Sequence, residues 1–400
     1  MRVLQICVKP PFPEVDGGAI AMAGTLRSLI NIGCDLTVFS FVSHKHPEMK
    51  IPKNIEGKFR LHTAPVNLQI KPFDAFLNLF SNESYHAKRF RSKAVKKLLT
   101  QILEEREYDI VLLETVFPTV YLKLIREHSK AKVIIRMHNI EHKVWERTAD
   151  KEARPLKRWY IHLLAARLKQ FELKMLSNVD GLIAISQDDE NKLINFGVNT
   201  ESKTIPVGLE LGNYQSNAEG QMMDHSIFHL AAMDWIPNQK AVDWFFCFVW
   251  DELLELQPKV KLHLAGRKMP TSLFNKISPN LFVQDEVPSA VEFMMDKSIM
   301  IVPLLSGSGL RIKILEGMAM GKAIVSTTVG VSGLAVKNGE HLFIADSPKT
   351  FAEKICMLLD DPELVRKMGL NARKLVEEKY SLEMVAAETG RYLESFLNNN

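Results

Sequence analysis

Short apolar runs alternate with long helical patterns along nearly the whole chain, and this alternation limits the possible folds more than any single motif. The runs at 3–8, 36–42, 110–113, 133–137 and 181–185 are too short for helices and apolar almost throughout, the pattern of strands buried on both faces of a parallel sheet. Helical patterns separate them, beginning with 19–32, which Gly33 closes. Ser186 and Asp189 form a capping box for the helix after 181–185, and a strand at 204–207 leads to a hinge at Gly208. The alternation restarts after the polar stretch 216–224, which has the composition of a solvated loop. Strands are expected at 227–232, 260–265, 299–302 and 323–326, a helix start at Pro237, and helices at 348–359 and 362–378. Four hundred residues exceed one ordinary core, so the chain reads as two α/β domains, each a Rossmann-like parallel sheet covered by helices.

Composition removes several function classes. The balance of 51 basic against 47 acidic residues gives no nucleic-acid footprint. Cys7, Cys34, Cys247 and Cys356 stand apart, without the paired spacing of a zinc site or redox couple, which fits a reduced cytoplasmic setting. The N-terminus enters a strand at Val3 without a charged leader, and no apolar run approaches the roughly 18 residues of a membrane span. The expectation is a cytoplasmic protein, at most peripheral to the membrane.

In open parallel sheets ligands sit beyond the carboxyl ends of strands. Gly17, His138, Gly266 and the stretch 306–311 all follow strands and belong on those edges. The last is the most informative: the strand 299–302 runs into Ser306, Gly307, Ser308, Gly309 and Leu310, then a helix whose first turn carries Arg311 and Lys313. Backbone amides, a helix N-terminus and two cations suit a phosphate. Glu316 lies one turn on, where a carboxylate accepts bonds from a sugar's vicinal hydroxyls. Phosphate beside sugar points to a nucleotide.

Gly17 and Gly18 after a proline-rich loop, His138 after a strand, the linker Ile205, Pro206, Val207 and Gly208, and the segment from Lys313 to Gly321 together resemble the retaining nucleotide-sugar glycosyltransferases of family 4. The resemblance covers essentially the whole chain and implies a GT-B fold, two Rossmann-like domains facing across a cleft. Because the family's last helix usually crosses back to the first domain, it implies one domain of 1–207 with about 385–400, and a donor-nucleotide domain of 208–384. It also implies that His138 faces the donor sugar, that the substrates are a nucleotide diphosphate sugar and a glycan or lipid-linked acceptor, and that the setting is envelope polysaccharide or lipid-linked glycan synthesis.

The family's usual pair of glutamates seven residues apart is incomplete, since Glu316 matches the second while Ser308 stands at the first. The family's Arg and Lys after the first strand of the second domain are also missing from Met233 to Asn238, which makes Arg311 and Lys313 the natural substitutes. The expected site is therefore His138, Arg311 and Lys313 as catalytic residues, with Gly17, Gly18, Gly266, Ser308, Gly309, Leu310 and Glu316 binding donor. No metal or cofactor is expected. The basic run 86–97 follows apolar Phe73, Phe76, Leu77, Leu79 and Phe80; its ordinary reading is a solvated face, and its sharper reading is a patch for an anionic membrane at 73–97. An epimerase on the same fold and a non-catalytic two-lobed binding protein are the competing readings.

Overall fold

In the computed structural model, described for all residues except 15, 72, 74–76, 216–224, 308 and 399–400, the chain divides into two compact units. One comprises Met1–Gly208 with Leu382–Asn400, the other Leu209–Ser381. The loop expected at 216–224, Phe76 and the site residue Ser308 lie outside the described residues.

The first unit is built on seven parallel strands: β1 (Arg2–Cys7), β2 (Asp35–Val42), β3 (Arg60–Pro65), β4 (Ile110–Glu114), β5 (Lys132–Met137), β6 (Gly181–Ala184) and β7 (Ser202–Thr204). Their order across the sheet is β3-β2-β1-β4-β5-β6-β7, with every pairing parallel. Central strands β4 and β6 are buried along their whole length, which accounts for sequences that are apolar apart from Glu114. Asp16 caps the helix Gly17–Asn31, its carboxylate accepting from the Ala19 amide at 2.9 Å. Ser186 caps Gln187–Asn195 through the Asp189 amide at 3.2 Å and returns a bond to the Asp189 carboxylate at 3.0 Å.

The second unit repeats the plan with β8 (Ser226–Leu230), β9 (Lys261–Ala265), β10 (Leu281–Val283), β11 (Ile299–Val302), β12 (Ala323–Ser326) and β13 (Phe343–Ile344). The order is β10-β9-β8-β11-β12-β13, again parallel throughout. In each sheet the chain moves outward one way from the first strand and then restarts on its other side. This reversal leaves a crevice between β1 and β4 in one unit and between β8 and β11 in the other.

Two differences from the sequence reading stand out. Strands β3, β10 and β13 were not expected, and β7 ends at Thr204 rather than running from 204 to 207. Ile205 and Val207 are apolar because they are buried in the linker, where Gly208 packs against Leu382 and Val385. The final helix, Leu382–Ser395, belongs to the first unit and packs on Gly17–Asn31. Its Tyr392 hydroxyl accepts from the Leu182 amide at 3.0 Å and reaches the Glu201 carbonyl at 2.8 Å.

Candidate active site

The crevice of the second unit is framed by the chain leaving β8 and the chain leaving β11. Buried His229 near the end of β8 donates through Nδ1 to the Ile301 carbonyl at 2.8 Å and ties the two strands together; burial lowers its pKa. Beyond β11, Gly307 and Gly309 adopt φ of 143° and 80°, values open to glycine and strained for other residues. A Cβ on Gly307 would stand 2.5 Å from Nη2 of Arg311 and 2.9 Å from the ring of Trp235. Arg311 donates to the Gly309 carbonyl at 2.7 Å, and its guanidinium lies 5.4 Å from the centre of the Trp235 ring. The glycine loop, the arginine and the indole therefore pack as one group.

Arg311 stands at the cap of the helix Ile312–Ala319 rather than in its first turn, as the sequence suggested. Leu310 immediately precedes it, its carbonyl accepting from the Ile312 amide at 3.2 Å. Lys313, half exposed, pairs with Glu316 at 2.9 Å. The Tyr214 hydroxyl donates to the other oxygen of Glu316 at 3.0 Å, and Arg373 donates to the Tyr214 carbonyl at 2.9 Å. Glu316 thus meets a cation on one oxygen and a phenol on the other, so the charge of its partly buried carboxylate is compensated by the chain itself. Lys313 serves this pair as much as it faces outward.

Two further residues of this crevice escaped the sequence reading. Arg267, just after Gly266, pairs with Asp234 at 3.1 Å, bringing a cation to the segment after β8 that carries none of its own. The other is Trp235, whose ring packs against Arg311 and Gly307. Gly266 has a packing reason of its own: at φ 152°, a Cβ there would fall 1.7 Å from the Ala231 carbonyl oxygen.

In the first unit, β1, β4 and β5 lie side by side and bring Gln5, Glu114 and His138 together at the carboxyl edge. Fully buried Glu114 receives the Gln5 amide at 2.7 Å on one oxygen and His138 Nε2 at 2.6 Å on the other. The carboxylate fixes the imidazole with Nε2–H toward Glu114 and leaves Nδ1 as the remaining ring nitrogen. The next residue, Thr115, has φ 70°, a strained conformation held at the strand end. Cys7 is nearby, its thiol pKa pushed well up by burial and by the Glu114 charge. His138's neighbours have structural partners: Arg136 reaches the Pro206 carbonyl at 2.7 Å, and His142 Nδ1 meets Glu172 at 2.5 Å. Glu172 also accepts from the backbone amides of Glu141 and His142. Burial, then the charge of Glu172, raises the Glu141 pKa to about 8. Gly17 meets no atom within 4 Å of a hypothetical Cβ, and Gly18 lies beside the Lys9–Asp16 ion pair.

Among the described residues no three His, Cys, Asp or Glu side chains come together as a metal site would require, and no helix is long and apolar enough to cross a membrane.

Comparison with known proteins agrees with the geometry. Residues 15–212 match the Glycosyltransferase Family 4 model, and residues 224–361 match the Glycosyl transferases group 1 model. The chain belongs to the group 1/family 4 glycosyltransferases. It is a GT-B glycosyltransferase of two parallel-sheet α/β domains. A Klebsiella pneumoniae protein described as an uncharacterized 44.6 kDa protein in the cps region is 24% identical over 401 residues, covering 96% of this chain and 97% of that protein. The Staphylococcus aureus capsular polysaccharide biosynthesis glycosyltransferase CapM is 28% identical over 130 residues, 32% of this chain and 34% of that protein. The structure of Anabaena HepE in complex with UDP superposes with a TM-score of 0.67 at 14% identity, covering 99% of this chain and 100% of that one.

Proposed function

We propose that this glycosyltransferase moves a sugar from a nucleoside diphosphate sugar to an acceptor hydroxyl, with retention at the anomeric carbon, in the assembly of an envelope polysaccharide or lipid-linked glycan. The observation that carries this reading is the β8/β11 crevice, where the glycine loop, Arg311 at a helix cap and an oriented Glu316 converge. In this reading the loop amides, the helix N-terminus and Arg311 stabilise the departing diphosphate, and Glu316 takes the ribose hydroxyls. His138 offers Nδ1 to the donor sugar while Glu114 holds its far side. The acceptor oxygen bonds to the anomeric carbon as the carbon–oxygen bond to phosphate breaks, and the acceptor proton passes to the leaving phosphate on the same face. No metal is assigned a part. A nucleotide donor and a capsular setting draw support from the HepE complex with UDP and from the name of CapM. The same reading places the protein in the cytoplasm, peripheral to an anionic membrane through the region 73–97.

Titration calorimetry with a nucleoside diphosphate, beside turnover of a nucleotide sugar, tests the site. Glu316→Gln should weaken nucleotide binding while leaving thermal unfolding unchanged, since a charge-assisted bond becomes neutral. Arg311→Ala and Lys313→Ala should each lower turnover by about tenfold or more. Unchanged nucleotide affinity in Glu316→Gln would move that residue out of the site. Turnover abolished by EDTA and restored by magnesium would overturn the metal-free account.

A further inference from the structure

The basic run at 86–97 does not form one face. Arg89 turns inward, donating to the Leu68 carbonyl at 2.7 Å and lying 5.4 Å from the Tyr85 ring centre, so it staples the loop rather than meeting solvent. Lys93, Lys96 and Lys97 belong to the separate helix Lys93–Glu105. Lys88 and Arg91 instead open onto a cavity of about 680 Å³ in the first unit, together with Lys123, Arg126, Arg167 and Lys174. Among the described residues Glu83 is the one acid in its wall. Arg91 pairs with Glu83, Lys123 with Glu127 and Arg126 with Asp180, whereas Lys88 and Lys174 make no ion pair among the described residues. Leu122, Phe171 and Met175 add apolar surface to the basic wall.

The helix Pro155–Leu176 ties this cavity to an exposed apolar surface. Its cavity-lining residues Arg167, Phe171 and Lys174 recur at helical spacing, and the same stripe continued toward the N-terminus passes through Leu163, Trp159 and Leu156. Leu156 is 85% exposed and Trp159 60%. Arg167 also fixes the neighbouring segment: it donates to the Asn78 carbonyl at 2.6 Å and the Leu79 carbonyl at 3.0 Å. That segment carries Phe73, Leu77 and Phe80, with exposures of 69%, 50% and 80%. One arginine thus joins the basic cavity to the chain bearing these large apolar side chains.

We propose that this surface docks the enzyme on an anionic membrane leaflet, lipid phosphates entering the cavity while Leu156, Trp159, Phe73 and Phe80 enter the acyl boundary. The inference rests on the membrane-peripheral reading above and replaces the basic run with a site drawn from three segments. Charge complementarity selects an anionic partner, and the apolar side chains select a lipid over a soluble polyanion, which would leave them in water. The pairing of cations with large exposed apolar groups is the amphipathic chemistry of a lipid interface.

The test uses the full-length protein with vesicles of phosphatidylglycerol or phosphatidylcholine. Wild type should favour phosphatidylglycerol by about tenfold or more at low salt and lose that preference near about 0.5 M salt. Lys88→Glu with Lys174→Glu should cut partitioning by about tenfold or more. Leu156→Ser with Trp159→Ser should also cut it while leaving every cation in place. Nucleotide affinity should stay unchanged in both double variants. Wild type that ignores phosphatidylglycerol at low salt, or undiminished partitioning of either double variant, overturns the proposal. So does a soluble acidic glycan that binds the cavity equally well with Leu156 and Trp159 replaced. Loss of vesicle binding alone leaves the donor reading standing, whereas a protein that docks but binds no nucleotide defeats the donor reading alone.

Discussion

Lys322, between Gly321 and strand β12, is fully buried and its Nζ donates to the Met295 carbonyl at 2.9 Å. Burial lowers its pKa to about 8, with Asp296 opposing and Lys297 assisting the shift. Between about pH 8 and the ordinary lysine value, the unfolded chain holds more protons than the folded one, so stability rises with pH across that window. Below about pH 8 the full cost of the buried charge remains. Lys322→Met should therefore raise the unfolding midpoint at pH 7, by about 2–4 °C for each kcal/mol recovered, and flatten the alkaline rise. Thermal scans at pH 7 and above pH 9 check it; a lower midpoint at pH 7 would show that the ammonium's bonds outweigh its desolvation. Residue roles were legible where they depend on neighbours in sequence. Glu316, Lys313 and Arg311 lie within six consecutive residues and share one local pattern. The Glu114–His138 pair is 24 residues apart and arises from the register of β4 and β5, so it had no local signal.

Among elements, legibility followed burial. Central strands such as β11 and β12 are legible to the residue because both faces are covered and the sequence is apolar but for Ser326. The missed strands β3, β10 and β13 are sheet edges; β3 reads Arg-Leu-His-Thr-Ala-Pro, with exposed or half-exposed positions almost throughout, and carries no strand periodicity. Two loop glycines that looked alike are separated by their surroundings. Gly17→Ala adds a methyl where no atom lies within 4 Å, at the first residue of a helix, and should change stability by less than about 0.5 kcal/mol. Gly266→Ala drives a Cβ into the Ala231 carbonyl and should cost more than about 4 kcal/mol. Denaturant unfolding measures both. Turnover then assigns Gly17: activity lost with stability intact places a ligand against it, whereas full activity makes it an ordinary helix start.

At the scale of the whole molecule, the chain crosses from one unit to the other twice, at Gly208 and again before Leu382. Local patterns carry no sign of which sheet the last helix covers; the expectation that it returns comes from the family resemblance. Buried Val385, Tyr392 and Leu393 of that helix, with Phe396 just beyond it, join the core of β1, β4 and Gly17–Asn31, and a Cβ on Gly181 would stand 2.5 Å from the Phe396 ring. Each such side chain stabilises the first unit by about 1.5–3 kcal/mol, so their joint loss approaches the whole stability of a domain. A chain ended at Ser381 keeps every residue of the second unit and removes this helix from the first. Calorimetric scans of that truncation should lose or strongly lower one unfolding transition and keep the other. Nucleotide binding should stay with the surviving transition, because Arg311, Lys313, Glu316 and Tyr214 all lie in Leu209–Ser381. Two retained transitions would mean that the first unit folds without its last helix, and loss of both would mean that the second unit depends on the first.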